Sequence, residues 1–205
     1  RISSQALKAA QRRSFADYLD RSELGTRTKR VVELVAQRMV EIDATTDYDD
    51  ALTSAEAAFK KAGINVSAPK AKKSDTEPKA PAAGYLVFLG YHQVDRLARV
   101  LLERGEAGLT SKKEAQELLD TEHAVDVALF GRMVAEDATL NVDAAVQVAH
   151  ALGTHAAVPD FDYYTAIDEM ERLNEQTGAG MIGTLEMMSS TVYRYATLNV
   201  DQLVA

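Results

Sequence analysis

Apolar residues recur every three to four positions through much of the first 121 residues of the chain. This period places the apolar side chains on one face of an α-helix, which then packs on that side against a core. The pattern predicts five helices, which span residues 5–19, 26–42, 48–62, 93–103 and 112–121.

Polar residues and glycine mark the ends of several predicted helices. Ser3 or Ser4 precedes the first helix, and a serine there accepts hydrogen bonds from the unpaired amides of the first turn. Gly63 follows the third helix and is favoured at a helix C-terminus. Ser111 and Glu114 stand three positions apart at the start of the last helix, which is the spacing of a capping box. These signals support the predicted helix boundaries.

Patterns typical of strands lie mainly in the second half of the chain. The short apolar run at residues 85–89 predicts one strand between two helices. Apolar residues occupy every second position at residues 125–130 and 142–149, a period typical of strands. We predict that these two segments and residues 192–198 form three strands of one sheet.

Residues 66–84 separate the third predicted helix from the strand at residues 85–89. They hold three of the four prolines of the chain and four lysines among small residues. Such a composition buries too little apolar surface to offset the entropy lost on ordering. The segment is therefore predicted to be a disordered surface loop.

The composition is that of a globular protein with a buried core. The chain has 205 residues, of which 46% are hydrophobic, so one or two domains are expected. No apolar run approaches the roughly 18 residues that a membrane span needs, so we expect a cytoplasmic protein without membrane contact. The absence of cysteine excludes disulfides and thiolate metal sites.

The net charge of −8 argues against nucleic acid as a partner, because lysine and arginine supply most non-specific affinity for phosphates. The distribution of charge weakens this objection. The first 13 residues carry four basic side chains and no acidic one, whereas residues 134–205 carry 11 acids and two arginines. Our hypothesis is that a local basic patch on an acidic protein binds one RNA, while the overall negative charge discourages indiscriminate binding of other nucleic acids.

No residue pattern in the chain is typical of catalysis. The histidines lack the spacing of a zinc site, and no cysteine is present to complete one; they are His92, His123, His150 and His155. Asp160 and Asp162 are able in principle to hold Mg²⁺, but two carboxylates on a loop are usually solvated. We therefore predict no catalytic residue, no metal and no cofactor.

Gly178, Gly180 and Gly183 form a G-x-G-x-x-G pattern. A dinucleotide-binding loop of this type leaves a strand and opens a helix. Here the pattern follows polar residues and leads into a segment, residues 185–195, that is more typical of a strand. We interpret these glycines as residues that allow tight turns or close backbone approach, and not as a phosphate-binding loop.

Five segments of the chain resemble one known family. RISSQALK opens the chain at residues 1–8, and DVALFGRM follows at residues 126–133. NVDAAVQVAHALGTH, FDYYTAIDE and VYRYATLNV come after them, in the order that the family has. Together they resemble the CasC family, the RNA-binding backbone subunits of the type I-E CRISPR Cascade complex. The resemblance covers the first turns and nearly all of residues 126–203, and it does not extend over residues 14 to about 122.

The resemblance implies an α+β fold with the architecture of a hand. An RRM-like (ferredoxin-like) palm sheet would begin with residues 1–13 and continue through residues 123–205. Residues 14–122 would form a large helical finger insertion, and a β-hairpin-like thumb would occupy residues 153 to about 188. CasC-like proteins have a further strand before this point and more chain after it, so we expect the sequence to be part of a longer protein.

The resemblance also implies which residues contact RNA. In CasC-like proteins the RISSQ helix lies against the RNA backbone, and the GRM segment and an aromatic-threonine step of the thumb also reach the RNA. The implied RNA-binding residues are Arg1, Ser4, Gln5, Lys8, Arg12, Arg132, Met133, Tyr163, Tyr164 and Thr165. We expect Lys8, Met133 and Tyr164 to converge in space, with Met133 and Tyr164 bracketing a displaced nucleotide.

The function implied by the resemblance is that of a non-catalytic subunit, which binds CRISPR guide RNA and polymerises along it in antiviral defence. Its partners would be the guide RNA, further copies of itself, other Cascade subunits and, through the guide, target DNA. Two alternatives stay open. One is a metal-dependent RNA-cleaving CRISPR backbone subunit that uses Asp160 or Asp162, and the other is a helical adaptor that binds only protein.

Overall fold

The computed structural model describes most of the chain, in five stretches: residues 1–68, 79–105, 108–134, 136–166 and 181–204. These residues combine helices with short antiparallel strand pairs, so the predicted α+β class is confirmed. The chain divides into two compact units. The larger unit contains residues 8–147 and 197–205, and the smaller unit contains residues 1–7 and 148–196.

Helices make up most of the larger unit. In chain order they are α1 (Ser4–Ser14), whose first four residues belong to the smaller unit, α2 (Val31–Ile42), α3 (Tyr48–Ala62), α4 (Tyr91–Arg104), α5 (Lys112–Asp120), α6 (Val125–Phe130) and α7 (Val200–Val204). In the described parts of the chain, none of the helices has the length and apolarity that crossing a bilayer requires.

The strands are short and pair two at a time in the described residues. Their bounds are β1 (Gly25–Thr28), β2 (Val66–Ser67), β3 (Ala82–Ala83), β4 (Val87–Gly90), β5 (Val146–Val148), β6 (Leu152–Gly153), β7 (Asp160–Ala166), β8 (Met181–Met187), β9 (Val192–Tyr193) and β10 (Ala196–Leu198). The pairs are β1 with β4, β2 with β3, β5 with β10, β6 with β9 and β7 with β8.

One continuous hydrophobic core stabilises the larger unit. It forms where α2, α3, α4 and α5 pack against one another. Its fully buried side chains include Val31, Val35, Phe59, Leu97 and Leu119. Each side chain of this size contributes about 1.5–3 kcal/mol by leaving water, which makes this core the main source of stability.

Helix α3 begins and ends as the sequence predicts, and α5 begins at the predicted residue and ends one residue early. Asp47 caps α3 by accepting hydrogen bonds from the amides of Asp49 and Asp50, and the helix ends at Gly63, whose φ of 89° is left-handed. Ser111 caps α5 by accepting from the amide of Glu114. These local signals place the helices without help from distant residues.

The predicted strand at residues 125–130 is wrong, because this segment is helix α6. Its amides bond back along the chain, as in the hydrogen bond from the amide of Ala128 to the carbonyl of Ala124. The polar member of the alternation, Asp126, is buried and takes partners from other elements. Alternation over six residues does not distinguish a strand from a short helix when a polar side chain is itself buried.

The start of the second predicted helix is also wrong. Residues 25–28 form strand β1, which pairs antiparallel with β4 so that Thr26 faces Leu89, and α2 begins only at Val31. β-branched threonines favour the extended strand when a partner strand is present. The first helix likewise ends at Ser14, five residues before its predicted end.

The predicted disordered loop is ordered at both ends. Val66 and Ala83 pair across β2 and β3, and both are buried. Residues 69–78, which hold most of the loop's lysines, lie outside the described residues. Burial of the two flanking side chains fixes the ends of a segment whose composition alone predicted disorder.

The strands predicted for one sheet are shorter than expected. Residues 142–149 contain only β5, and residues 192–198 contain the two strands β9 and β10. The longest pair lies in the smaller unit, where β7 and β8 run antiparallel from Asp160 opposite Met187 to Ala166 opposite Met181. This ribbon lies inside the segment predicted to be a thumb, whose exact bounds stay a prediction.

Candidate nucleic-acid interface

Helix α1 starts at a capped and exposed end. Ser3 Oγ accepts a hydrogen bond from the amide of Ala6 at 3.1 Å, which confirms the predicted serine cap. The amide of Ser4 donates to Nδ1 of His150 at 2.8 Å, so one of the amides at this end is already in use. Arg1 and Gln5 are exposed, and Ser4 and Lys8 are half-buried.

Arg12 is held inside the larger unit. Its Nε donates to Oδ2 of Asp126 at 3.1 Å, and its guanidinium carbon lies 4.2 Å from the centre of the Phe88 ring. Asp126 is almost fully buried, and its other oxygen accepts from the amide of Gly25 at 2.8 Å. Arg12 therefore ties α1 to α6, and its charge is already balanced by a carboxylate.

Arg132 is also committed to internal partners. Its Nε donates to the carbonyl of Leu140 at 2.8 Å, its Nη1 donates to the carbonyl of Leu119 at 2.9 Å, and its Nη2 pairs with Asp120. Burial lowers the pKa of Arg132, and the charge of Asp120 opposes that shift. An RNA contact by this guanidinium stays a prediction that would require these bonds to break.

Met133, the next residue, is 80% exposed. The chain reaches it through Gly131, whose φ of 76° is left-handed and whose added Cβ would lie 2.8 Å from the carbonyl oxygen of Val142. The glycine lets the backbone leave α6 in the direction that presents Met133 to solvent. Met133 is therefore available for contact and is not part of the core.

Met133 lines a groove of about 530 Å³ on the larger unit. The side chains that give the groove its character are apolar or basic, namely Arg27, Leu86, Phe88, Phe130 and Met133. Asp143 also lines it and supplies one negative charge. A groove with aromatic, thioether and guanidinium groups suits an unpaired base and its phosphate better than it suits a duplex.

The predicted thumb residues lie on strand β7 of the smaller unit. Tyr163 is 75% exposed and Tyr164 is 46% exposed. Thr165 is exposed on the same face as Tyr163, because alternate residues of a strand share a face. The ring of Tyr164 covers Gly183 of the paired strand, where any added Cβ would collide with it.

The structure brings together some of the predicted site residues. Ser4, Gln5 and Lys8 share one helix, and Tyr163, Tyr164 and Thr165 share one strand. Lys8 and Met133 lie in the larger unit and Tyr164 lies in the smaller one, so their expected convergence stays a prediction.

Sequence reasoning missed Arg27, Phe88 and Phe130. Arg27 falls in a segment predicted as helix, and Phe88 in a strand predicted only as core. Phe130 stacks on Phe15, with ring centres 6.0 Å apart, a contact between residues 115 positions apart. The alternating Gly-Thr-Arg-Thr of β1 is the signal that could have placed Arg27 on a strand.

The described residues contain no group of three or more histidine, aspartate or glutamate side chains placed to hold a metal ion. Several histidines serve the fold: Nε2 of His155 accepts from the amide of Thr191 at 3.1 Å, and His92 bonds the carbonyl of Ser22 at 3.1 Å. Asp160 and Asp162 lie two apart on β7 and share a face of the exposed ribbon. Gly183 lies on β8, and Gly178 and Gly180 lie outside the described residues.

Two solved structures contain chains that are similar to this one. The chain superposes over its whole length on a chain of a structure titled "CRISPR RNA-guided surveillance complex, pre-nicking", with a TM-score of 0.79 and 32% identity. A chain of a "CRISPR RNA-guided surveillance complex" gives a TM-score of 0.64 at 28% identity. Our chain spans 56% and 54% of those two chains.

No curated protein is significantly similar to the chain. The family described as "CT1975-like protein" matches residues 1–205, which is the whole sequence. Since the match covers the full length, the chain belongs to the CT1975-like family of Cas proteins.

Proposed function

We propose that the chain belongs to a guide RNA-binding backbone subunit of a Cascade-type complex, and specifically to the CasC type of the type I-E system. The observation that carries the proposal is the full-length match to a Cas family together with 32% identity to a chain of an RNA-guided surveillance complex. The order of the RISSQ, GRM and FDYYT segments supports the narrower assignment.

The geometry supports binding that ignores base identity. Lys8 and the exposed Gln5 lie along the first turns of α1, where the lysine charge and the positive end of the helix favour a phosphate backbone. Met133 and Tyr164 expose groups that contact any base face equally well. A subunit that must accept every guide sequence needs this kind of contact, and target recognition is then left to base pairing.

Oligomerisation along the RNA is the second part of the proposal. The ribbon of β7 and β8 exposes several large apolar side chains, among them Phe161, Ile182, Leu185 and Met187. A two-stranded ribbon is only marginally stable in water by itself, so such side chains favour contact with a further surface. Repeated head-to-tail contact between copies would cover the length of a guide.

The proposal includes no catalytic step. We infer that the subunit is a scaffold in the cytoplasm, and that other Cascade subunits and target DNA meet it through the guide. The competing function, metal-dependent cleavage of RNA, would fall to Asp160 and Asp162 on the exposed ribbon.

The test is to purify the tagged chain from its host and to sequence any RNA bound to it. We expect a discrete small RNA with constant ends and variable interiors, and less of it with Lys8→Glu than with the control Lys113→Glu, a lysine 86% exposed on α5. If no discrete RNA accompanies the wild-type chain, the proposal of an RNA-binding subunit is refuted in favour of a helical adaptor that binds only protein.

A second assay separates the scaffold from the nuclease. Bound complementary target RNA is incubated with Mg²⁺, with Asp162→Ala as the comparison. We expect intact RNA in both samples. Cleavage by the wild-type chain that Asp162→Ala abolishes would overturn the scaffold proposal in favour of the enzyme.

A further inference from the structure

Two arginines share one buried aromatic ring in the larger unit. The guanidinium carbons of Arg12 and Arg27 lie 4.2 Å and 4.9 Å from the centre of the Phe88 ring. Phe88 is only 2% exposed, so its position is fixed by packing. Stacking on a fixed ring restrains each guanidinium and leaves its edge hydrogen-bond donors available.

The two arginines differ in what balances their charge. Arg12 pairs with Asp126, with Nη2 and Oδ2 3.0 Å apart. Arg27 is exposed, and its guanidinium makes no hydrogen bond or ion pair to any residue in the described stretches. One buried carboxylate thus faces two guanidinium groups, and a single positive charge remains.

The charged form of Arg27 is destabilised by its surroundings. Burial and the neighbouring charge of Arg12 lower the pKa of Arg27, while Asp126 partly offsets them. A bound anion would relieve this repulsion and satisfy the free donors, as the charge-assisted bonds of arginine to phosphate do.

Arg27 lies on the wall of the groove that also contains Met133 and Phe130. The groove volume of about 530 Å³ falls within the range of roughly 300–1,000 Å³ that small-ligand sites occupy, so its size is compatible with one nucleotide. Phe130 is held by its stack on Phe15, and Met133 is exposed at the opening. Basic and apolar groups therefore meet in one place.

We propose that Arg27 binds a backbone phosphate of single-stranded RNA in this groove, while Met133 and Phe130 contact the adjoining base or sugar. The inference rests on the proposed function and adds a residue and a role to it. Asp126 holds Arg12 against the same ring and balances its charge.

The experiment measures the affinity of the full chain for a labelled single-stranded RNA of mixed sequence across a range of salt concentrations. The variants are Arg27→Ala and Arg27→Lys. Arg21→Ala is the matched control, because Arg21 also stacks on an aromatic ring, 4.3 Å from the centre of Tyr91, but lines a different cleft. Melting temperatures confirm that each variant folds.

We expect Arg27→Ala to weaken binding about tenfold and to reduce the slope of log Kd against log salt by about 0.7, the value for one phosphate contact to a single strand. Arg27→Lys should keep the slope and lose part of the affinity, and Arg21→Ala should match the wild type.

Three results would overturn the inference. Unchanged affinity of Arg27→Ala would show that Arg27 does not contact RNA. Weaker affinity with an unchanged slope would show that Arg27 stacks on a base and does not bind phosphate. If the wild-type chain binds no RNA at all, the proposed function itself is refuted and the role of Arg27 falls with it.

Discussion

The two units of the chain use their apolar side chains in opposite ways. In the larger unit α2, α3 and α4 bury them in a common core. In the smaller unit Ala151 is the one buried apolar residue among those described, and large apolar side chains line both faces of the β7–β8 ribbon. The larger unit has a core that stabilises it, and the smaller unit leaves most of its apolar side chains exposed.

Several arginines of the larger unit have partners within that unit. Arg12 and Arg132 are bound to carboxylates and carbonyls inside the unit, and Arg38 and Arg99 share Asp95. Counting basic residues therefore overstates the positive charge available to a bound ligand. What matters is which guanidinium groups lack an internal hydrogen-bond or ion-pair partner, and Arg27 is one of these in the described residues.

The largest effect is expected at Arg132. Replacing it with alanine removes three buried hydrogen-bond donors and leaves the carbonyls of Leu119 and Leu140 and the carboxylate of Asp120 without their partner. Loss of one member of a buried charged pair costs about 3–5 kcal/mol, and because Asp120 is 31% exposed we expect a loss toward the lower end of this range. Denaturant unfolding followed by circular dichroism measures this loss.

Arg99→Ala is the control for that experiment. Arg99 pairs with Asp95 at 2.8 Å on the exposed surface of α4, and such pairs contribute about 0–1 kcal/mol. An equal loss of stability in both variants would contradict the structural role that we assign to Arg132.

A smaller loss of stability is expected for Asp126→Ala. The substitution leaves Arg12 unpaired and the amide of Gly25 without an acceptor, and we expect the free energy of unfolding to fall by about 2–3 kcal/mol. Arg12 is 23% exposed, so water compensates part of the cost. Unfolding in urea measures the change, and a loss below that of Arg99→Ala would show that the pair is not structural.

Met133 of the larger unit and Tyr164 of the smaller unit should affect binding and not stability. Met133→Ala combined with Tyr164→Ala removes two exposed side chains, so the unfolding free energy should change by less than about 0.5 kcal/mol. RNA affinity should fall by about 1–3 kcal/mol for each stacked base that loses its contact. Nuclease protection of the bound guide measures the effect, and unchanged protection would remove both residues from the interface.

The fold could be predicted from sequence wherever local signals decide it. α3 has its capping aspartate and its terminal glycine within a few residues, and its bounds are correct. α6 could not be predicted, because its buried Asp126 is stabilised by Arg12, 114 positions away. β1 depends in the same way on pairing with β4, which lies about 60 residues further on.

The site could be predicted from sequence only as far as short motifs reach. The serine-rich start, Met133 and Tyr164 stand in recognisable segments, and the structure leaves Met133 and Tyr164 exposed. The groove beside Met133 could not be predicted, because Arg27 and Phe88 approach it from strands distant in sequence. The groove depends on the pairing of β1 with β4, which are far apart in sequence, and a short motif contains no information about that pairing.

The smallest expected effect is a dependence of stability on pH, which we assign to His123 in the larger unit. His123 lies half-buried near Asp120 and Arg132 in the larger unit. Burial lowers the pKa of His123, the charge of Arg132 lowers it further, and Asp120 opposes both. The unfolded chain therefore binds a proton more readily than the folded chain, and stability should fall as pH drops below the unfolded pKa of about 6.5.

The pH dependence is tested by measuring urea midpoints of unfolding at pH 7.5 and pH 5.5, which lie roughly one pH unit above and below the unfolded pKa of His123. We expect the midpoint to be lower at the acidic pH, and His123→Asn to reduce the difference. His155→Asn, on the smaller unit, should leave the difference unchanged, because unfolding in urea mainly reports the core of the larger unit. A difference that survives in His123→Asn and disappears in His155→Asn would reverse the comparison, since the smaller unit would then control the stability of the chain.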